Sequence, residues 1–269
     1  MIGPWKAFRS LRLRFRRALV RHGPGGIGHH IVRVAIRRLH QLSQIRVRVP
    51  TGDFDQKHNV DTEGKMDLTY LDIESPNWIF GNSYQAVDTA ELREMLEAAD
   101  VPYEDFTFVD LGSGKGRALL LASERPFRKI IGVEFSQELA EVSRQNIRNY
   151  QDRARHCPDI EVIQQVAAHY VLPEERLVLF LYNPFSREVM ARVVERACLS
   201  WQGHPRDLIV LYNTPDCADL WESTGLFECV KASAAYAIYK TPPLSNHLVY
   251  SSSKGRWRSL SRTDRVTSG

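Results

Sequence analysis

The chain of 269 residues has few cysteines, and their spacing indicates neither a disulfide framework nor a metal site. No cysteine belongs to a Cys-x-x-Cys or mixed Cys/His motif; the four are Cys157, Cys198, Cys217 and Cys229. The nine histidines are scattered in the same way. We therefore expect reduced thiols, as in a cytoplasmic protein, and no bound metal ion.

Long apolar runs are also lacking, since no stretch approaches the roughly 18 residues that a membrane-spanning helix needs. The first 50 residues contain no Asp or Glu but twelve Lys or Arg, a formal charge of +12. Because the whole chain carries only +4, the remaining residues together carry −8. This asymmetry predicts a basic arm over residues 1–50, followed by a mildly acidic domain.

In the arm, apolar side chains recur at roughly helical spacing between arginines, which predicts helices. Three roles stay open for it. It could lie on an anionic membrane surface, which would make a cytoplasmic protein peripheral at the membrane. It could bind nucleic acid or another acidic partner. It could also pack on the acidic surface of the following domain.

The rest of the chain divides into a cover segment, a domain and a tail. Residues 51–87 are polar at first and then rich in aromatics, and are predicted to be a loop that covers part of the domain. Residues 88–242 alternate short apolar strands with amphipathic helices, which predicts an α/β, doubly wound, mostly parallel sheet. We expect seven strands, the last two forming an antiparallel hairpin. The Ser- and Arg-rich residues 243–269 are predicted to be mostly disordered.

The most specific motif is Asp110-Leu-Gly-Ser-Gly-Lys-Gly116, which ends one apolar run and precedes a helix-forming segment. Without Cβ atoms at Gly112 and Gly114, a ligand can approach the backbone N–H groups at the helix start. A second apolar run ends in Glu134, which is placed to accept hydrogen bonds from two ribose hydroxyls. This order predicts a nucleoside-cofactor site at the edge of a parallel sheet.

The spacing argues against two other nucleotide sites. A nicotinamide site would need Gly or Ala where the chain has Arg117. A phosphate-binding P-loop would need Gly in place of Val109 and Ser or Thr in place of Gly116.

The motif resembles the first motif of class I S-adenosylmethionine-dependent methyltransferases. The resemblance implies S-adenosyl-L-methionine as the cofactor, with Asp110 near its methionine part and Glu134 on its ribose. The loop would pass beneath the ligand, so that the cofactor-binding residues include Gly112, Ser113, Gly114 and Gly116.

The third strand departs from the family pattern. Many members carry an Asp-Ala step there that contacts adenine, whereas Gln164-Gln-Val-Ala-Ala168 contains no acid. Adenine would have to be held by Gln165 or by backbone N–H groups alone.

The segment Tyr182-Asn-Pro-Phe185 resembles the Asn/Asp-Pro-Pro-aromatic motif of methyltransferases that modify amino or amide nitrogens, but with one proline instead of two. The resemblance implies that Asn183 accepts hydrogen bonds from the acceptor N–H groups and that Phe185 stacks on the acceptor. Tyr182, Tyr84 and solvent are candidates for removing a proton from a lysine acceptor. The alternative is an ordinary strand-to-helix turn with Ser186 as the helix cap.

Tyr84-Gln85 resembles the aromatic-containing segment that precedes the first motif in the non-SET histone-lysine methyltransferase type, where it folds over the cofactor. The likeness covers about residues 80–185. A bacterial group without an assigned substrate looks closer still, with Gly-Lys-Gly-Arg and Tyr-Asn-Pro-Phe together. Lys115 and Arg117 are unusual for the first motif; they could reach the methionine carboxylate or an acidic substrate, or lie exposed at the helix start.

We therefore predict an enzyme that transfers a methyl group from S-adenosyl-L-methionine to a nitrogen of a protein side chain or another amine or amide. No His, Cys or Ser is placed as a nucleophile, which favours direct displacement. Two alternatives stay open: a cofactor-binding scaffold without catalysis, and an RNA or DNA methyltransferase that uses the basic arm. The sequence names neither the acceptor nor the oligomeric state.

Overall fold

The computed structural model describes most of the chain beyond the predicted basic arm. The described ranges are 53–66, 84–150, 154–182, 185–242, 248–251 and 256–259. All of them belong to the unit Gly52–Gly269, one of the two into which the chain divides. The arm, residues 1–50, and Asn183 lie outside the described residues. Within those ranges, no helix has the length and apolar character needed to cross a membrane.

Seven strands form the central sheet. They are β3 (Thr107–Leu111), β4 (Lys129–Glu134), β5 (Ile160–Gln164), β6 (Leu177–Tyr182), β7 (Leu208–Asn213), β8 (Glu228–Ala232) and β9 (Tyr236–Lys240). Two short strands, β1 (Lys65–Met66) and β2 (Tyr84–Gln85), pair outside it. The helices are α1 (Asp53–His58), α2 (Thr89–Ala99), α3 (Arg117–Ala122), α4 (Gln137–Asn149), α5 (Arg187–Gly203) and α6 (Ala218–Glu222).

The strand order across the sheet is β5-β4-β3-β6-β7-β9-β8. The first five of these strands run parallel, whereas β9 is antiparallel to both β7 and β8. The predicted doubly wound sheet with a C-terminal antiparallel hairpin is therefore confirmed. From β3 the chain first adds β4 and β5 on one side of the sheet, and then crosses over to add β6 and β7 on the other side of β3. The carboxyl end of β3 therefore borders the crevice where such sheets bind ligands.

The sheet is buried on both faces because alternate residues of its strands pack against helices on opposite sides. Val109 and Leu179 belong to a core cluster that includes Met190 of α5. Phe108 and Phe180 belong to a second cluster that includes Leu92, Met95 and Leu96 of α2. Two apolar faces explain why the central strands read as continuous apolar runs in the sequence.

Two segments differ from the prediction. The proposed cover segment contains helix α1, in which the ring of Phe54 stacks on Tyr150 with centroids 6.1 Å apart. The proposed tail contains the strands β10 (Leu248–Ser251) and β11 (Arg256–Ser259), which pair antiparallel. Short alternating segments of this kind can pair locally even in a polar stretch.

Candidate functional site

The glycine motif forms the loop between β3 and α3, at the carboxyl edge of the sheet. The backbone N–H groups of Gly112 and Ser113 both donate to the carbonyl of Val133, at 2.8 and 3.1 Å. These bonds hold the start of the loop against the end of β4. The hydroxyl of Ser113 faces Gly132, so close that a Cβ atom there would meet it at 2.8 Å. Ser113 therefore packs the loop onto β4, and its predicted contact with the cofactor stays a prediction.

Two glycines of the loop are required by their neighbours as well as by their backbone angles. Gly114 has φ +54°, and a Cβ atom on it would collide with the ring of Tyr84. Gly116 has φ +86°, and a Cβ atom there would collide with Ser143 of α4. The loop is thus enclosed between Tyr84 on one side and α4 on the other, which leaves no room for a side chain.

Glu134 is joined to the loop by hydrogen bonds. Its Oε2 accepts from the Gly114 N–H at 2.8 Å, and its Oε1 accepts from the Ser136 N–H at 2.8 Å. Burial nevertheless raises the pKa of Glu134 to about 7, against the lowering effect of these backbone donors. In its ionised form this carboxyl accepts hydrogen bonds only, so it can take the hydroxyl groups of a ligand as further donors.

Asp110 is the second buried carboxyl of the site, at the end of the neighbouring strand. Its side chain is buried, and both this burial and the nearby Glu134 raise its pKa well above the ordinary value. Two carboxyls that would repel each other when ionised form a site suited to a cation and to hydrogen-bond donors.

A cavity of about 200 Å³ opens beside the loop. Its wall includes Gly112, Val133, Phe135, Gln165, Val166, Ala167, Ala168, His169, Phe185, Glu188, Val189 and Arg192. It is smaller than the roughly 300 Å³ at which pockets for whole ligands begin, so it suits one part of a cofactor, such as a flat base. Gln165, predicted to hold adenine, lies in this wall and donates to the His169 carbonyl at 3.2 Å.

The residues present fit S-adenosyl-L-methionine. The apolar cavity can take an adenine ring, the carboxyl of Glu134 can accept from ribose hydroxyls, and that of Asp110 can face a positively charged group. Between the two carboxyls, the Gly114 backbone has no room for a side chain, because the ring of Tyr84 covers it.

The predicted acceptor residues are only partly brought together. Phe185 is half-buried and lines the same cavity as Gln165, so it can contact the cofactor as well as an acceptor. Tyr182 ends β6 on the same edge, and burial together with Glu91 and Asp88 raises the pKa of its hydroxyl.

Neither tyrosine is suited to act as a base at neutral pH. The Tyr84 hydroxyl donates to the Thr62 carbonyl at 2.6 Å, and burial raises its pKa above the ordinary value. With the Tyr182 hydroxyl also kept protonated, solvent is the candidate that the geometry favours for removing a proton from an ammonium acceptor.

Lys115 and Arg117 do neither of the two things that were expected of them. Lys115 is buried, and its Nζ forms an ion pair with Asp61 at 2.8 Å. Arg117 forms ion pairs with Asp55 at 3.0 Å and with Glu63 at 3.6 Å. Both cations bind residues that precede the domain, so they neither point at a ligand nor lie in solvent.

Sequence reasoning missed two groups of residues at this site. Phe135 of the cavity wall follows Glu134 directly, so its place could have been inferred from that acid. The acids Asp55, Asp61 and Glu63 gave no signal, because they lie far along the chain from the cations that they bind.

Comparisons with known proteins agree with the fold. The model of the family described as "Histone methylation protein DOT1" matches residues 80–176, a little over a third of the chain. No curated protein sequence matches the chain. The predicted resemblance to the non-SET histone-lysine methyltransferase type is thus confirmed over the part that carries the glycine motif.

Solved methyltransferase structures are similar to this chain at low identity. The 23S rRNA methyltransferase ErmE has 18% identity and a TM-score of 0.41, with 57% of this chain and 67% of that chain covered. An RNA methyltransferase from Salinibacter ruber, in complex with S-adenosyl-L-homocysteine, has 16% identity and a TM-score of 0.39, with 58% and 91% covered. The ribosomal protein L11 methylase from Lactobacillus delbrueckii subsp. bulgaricus has 15% identity and a TM-score of 0.40, with 56% and 77% covered.

The strand order, the glycine loop and the matched family together define the class. The chain has the Rossmann-like α/β fold of class I methyltransferases, with the first motif of that class at the carboxyl edge of β3.

Proposed function

We propose that the protein is an S-adenosyl-L-methionine-dependent methyltransferase that acts on a nitrogen acceptor. The observation that carries the proposal is the joining of Glu134 to the Gly114 N–H, beside the buried carboxyl of Asp110. Together these groups supply acceptors for ribose hydroxyls and a negative charge for a cationic ligand. A nucleotide with several phosphates would meet two carboxyls instead of the donors that phosphate binding needs.

When bound, the cofactor supplies a methyl group that is already activated by its sulfonium. The protein then needs to position the acceptor and to exclude water, and it needs no nucleophile of its own. Phe185 and the residues of the cavity wall provide an apolar side for this purpose. Asn183 is proposed to accept hydrogen bonds from the acceptor nitrogen, which directs the nitrogen lone pair toward the methyl group.

The description of the matched family supports a protein acceptor over other amines. The charges around Tyr182 support the same choice, because Asp88 and Glu91 lie close enough to raise its pKa and would also attract a cationic side chain. An ammonium acceptor would then lose its proton to solvent before methyl transfer.

The basic segment over residues 1–50 favours a second candidate function, the methylation of RNA or DNA. The same positive charge would also suit attachment to an anionic membrane surface. Removing residues 1–45 tests this charge directly. Binding to RNA or DNA that is lost on truncation and falls steeply with salt would support the nucleic-acid candidate. Retention on anionic vesicles that is lost on truncation would support attachment to a membrane. If truncation changes neither nucleic-acid binding nor vesicle binding, the arm has no role in binding.

The cofactor is tested by calorimetric titration of S-adenosyl-L-homocysteine and of NAD into the purified protein and into Gly114→Arg. We expect micromolar binding of the first ligand alone, lost in the variant because a side chain at position 114 collides with Tyr84. Turnover of labelled methyl donor with cell extract then separates an enzyme from a cofactor-binding scaffold. No binding by the unaltered protein would contradict the proposal.

A further inference from the structure

Residues 55–63 fold against the glycine loop and the start of α3, and are named the strap. Asp55 holds the strap together, because its Oδ2 accepts from the backbone N–H groups of Thr62 at 2.6 Å and Glu63 at 2.7 Å. Thr62 is fully buried although it lies outside the sheet. The strap is therefore a compact segment, running from α1 to Glu63 and closed by one carboxylate.

Two cations fix the strap to the loop and to α3. Arg117 donates from Nε to the Thr62 hydroxyl at 2.6 Å and from Nη2 to Asp55 at 3.0 Å. Lys115 donates to Asp61 at 2.8 Å and to the Glu63 carbonyl at 3.0 Å. The side chains of Arg117 and Asp55 are only 11% and 14% exposed, so solvent screens their ion pair weakly.

Asn146 of α4 fixes the strap from the other side. Its Oδ1 accepts from the Asp61 N–H at 2.8 Å, and its Nδ2 donates to the carbonyls of Asp61 and Lys115, both at 2.9 Å. One buried amide thus joins the strap, the glycine loop and α4 in a single geometry.

Tyr84 connects the strap to the cofactor-binding residues. Its hydroxyl donates to the Thr62 carbonyl at 2.6 Å, and its ring covers Gly114. The N–H of Gly114 in turn donates to Glu134. A continuous series of contacts therefore runs from Arg117 through the strap and Tyr84 to the acid predicted to bind ribose.

The strap also determines which charges face the site. Its three acids bind the two cations, Lys115 and Arg117, and so offset the positive charge beside the loop. The buried carboxyls of Asp110 and Glu134 then favour a cationic ligand.

We propose that the strap is a support of the cofactor site, and that Arg117 is a positioning residue that acts through the strap and Tyr84 on Gly114. The inference rests on the proposed function. It goes beyond the matched family, because that match begins at residue 80 and the strap precedes it.

Hydrogen exchange with and without S-adenosyl-L-homocysteine tests this support directly. If the strap holds the loop in the conformation that binds the ligand, the ligand must in turn stabilise the strap, so it should slow exchange of the strap amides of Thr62 and Glu63. A purely structural strap, uncoupled from the ligand, would show no such change. Amides around Arg176, at the opposite edge of the sheet, serve as the internal control.

Binding by variants tests the path through Tyr84. Tyr84→Phe keeps the ring and every ion pair, and should bind S-adenosyl-L-homocysteine roughly three- to tenfold more weakly because one hydrogen bond is lost. Arg117→Lys should weaken binding of the ligand about as much. In the double variant Tyr84→Phe/Arg117→Lys, the loss of affinity should be smaller than the product of the two single losses, because both changes act on one path. Arg117→Ala should bind more weakly than Arg117→Lys.

Arg176→Ala is the matched control, since Arg176 also bridges two acids, Asp105 and Asp207, but at the far edge of the sheet. It should bind the ligand as the unaltered protein does. If an Arg117 variant fails to fold, Tyr84→Phe and hydrogen exchange decide. Unchanged binding by Tyr84→Phe with unchanged strap exchange would overturn this inference alone, whereas no binding by the unaltered protein would overturn the proposed function.

Discussion

The backbone N–H of Gly114 donates to Oε2 of Glu134 at 2.8 Å, which joins the glycine loop after β3 to the end of β4. Neither residue could be exchanged without changing the other's surroundings. Gly114 needs a positive φ and lies under an aromatic ring, while Glu134 is buried and depends on backbone donors. The bond couples loop conformation to the ionisation of the site.

Gly114→Ala should both destabilise the fold and abolish binding of S-adenosyl-L-homocysteine. The left-handed backbone at φ +54° costs an alanine about 1–2 kcal/mol, and the collision with Tyr84 adds to this cost. Chemical denaturation and calorimetry measure the two effects.

Two glycines serve as controls for this prediction. Gly64 has φ +93° with nothing near its missing Cβ, so Gly64→Ala should show the backbone cost alone. Gly203 ends α5 with open space and no positive φ, so Gly203→Ala should be neutral or slightly stabilising. A Gly114→Ala protein that is no less stable than Gly64→Ala would contradict the collision.

Cofactor binding should weaken as the pH falls through about 7. Glu134 accepts ribose hydroxyls best when ionised, and burial raises its pKa to about 7 in the folded protein. At pH 6 only about a tenth of this carboxyl would be ionised, so S-adenosyl-L-homocysteine should bind up to tenfold more weakly than at pH 8. Calorimetry from pH 6 to pH 8 measures how the affinity depends on pH. Glu134→Gln should bind weakly, with an affinity that does not change over this range.

The same shift predicts how the unliganded protein responds to pH. Because the folded pKa of Glu134 lies above the unfolded value, the folded state retains a proton that the unfolded state has lost. The stability that Glu134 contributes is therefore fully present below about pH 4.5, and it decreases as the pH rises to about 7. A ligand-free melting temperature whose slope over this range is the same in Glu134→Gln would contradict this assignment.

Asp110→Asn should stabilise the ligand-free protein while weakening ligand binding. Burial and the neighbouring Glu134 both oppose ionisation of Asp110, so a neutral amide avoids the cost of ionising a buried carboxyl. A gain of about 1 kcal/mol is expected, as for other residues retained for function at a cost in stability. The free energy of unfolding without ligand should therefore increase, while the affinity for S-adenosyl-L-homocysteine should decrease. A decrease in both quantities would indicate a structural role for Asp110.

The sequence predicts those parts of the structure that are encoded locally. The apolar run that ends in Glu134 forms β4, and the apolar run that ends in Tyr182 forms β6. The partners of Arg117 could not be predicted in this way. Asp55 lies 62 residues from Arg117, and sequence periodicity carries no information on which distant acid a cation will meet.

Arg206 anchors the edge of the sheet opposite the site, and its replacement should destabilise the fold without affecting the ligand. It is only 4% exposed. Its guanidinium donates to the backbone carbonyls of Pro173, Glu175, Ser200 and His204. Arg206→Lys keeps the charge but has three donors instead of five, so it should lose about 2 kcal/mol because buried carbonyls are left unpaired. Arg187→Lys, in an exposed pair with Asp219, should unfold at the same denaturant concentration as the unaltered protein. If both lysine variants were equally stable, the carbonyl contacts of Arg206 would not be what holds this edge together.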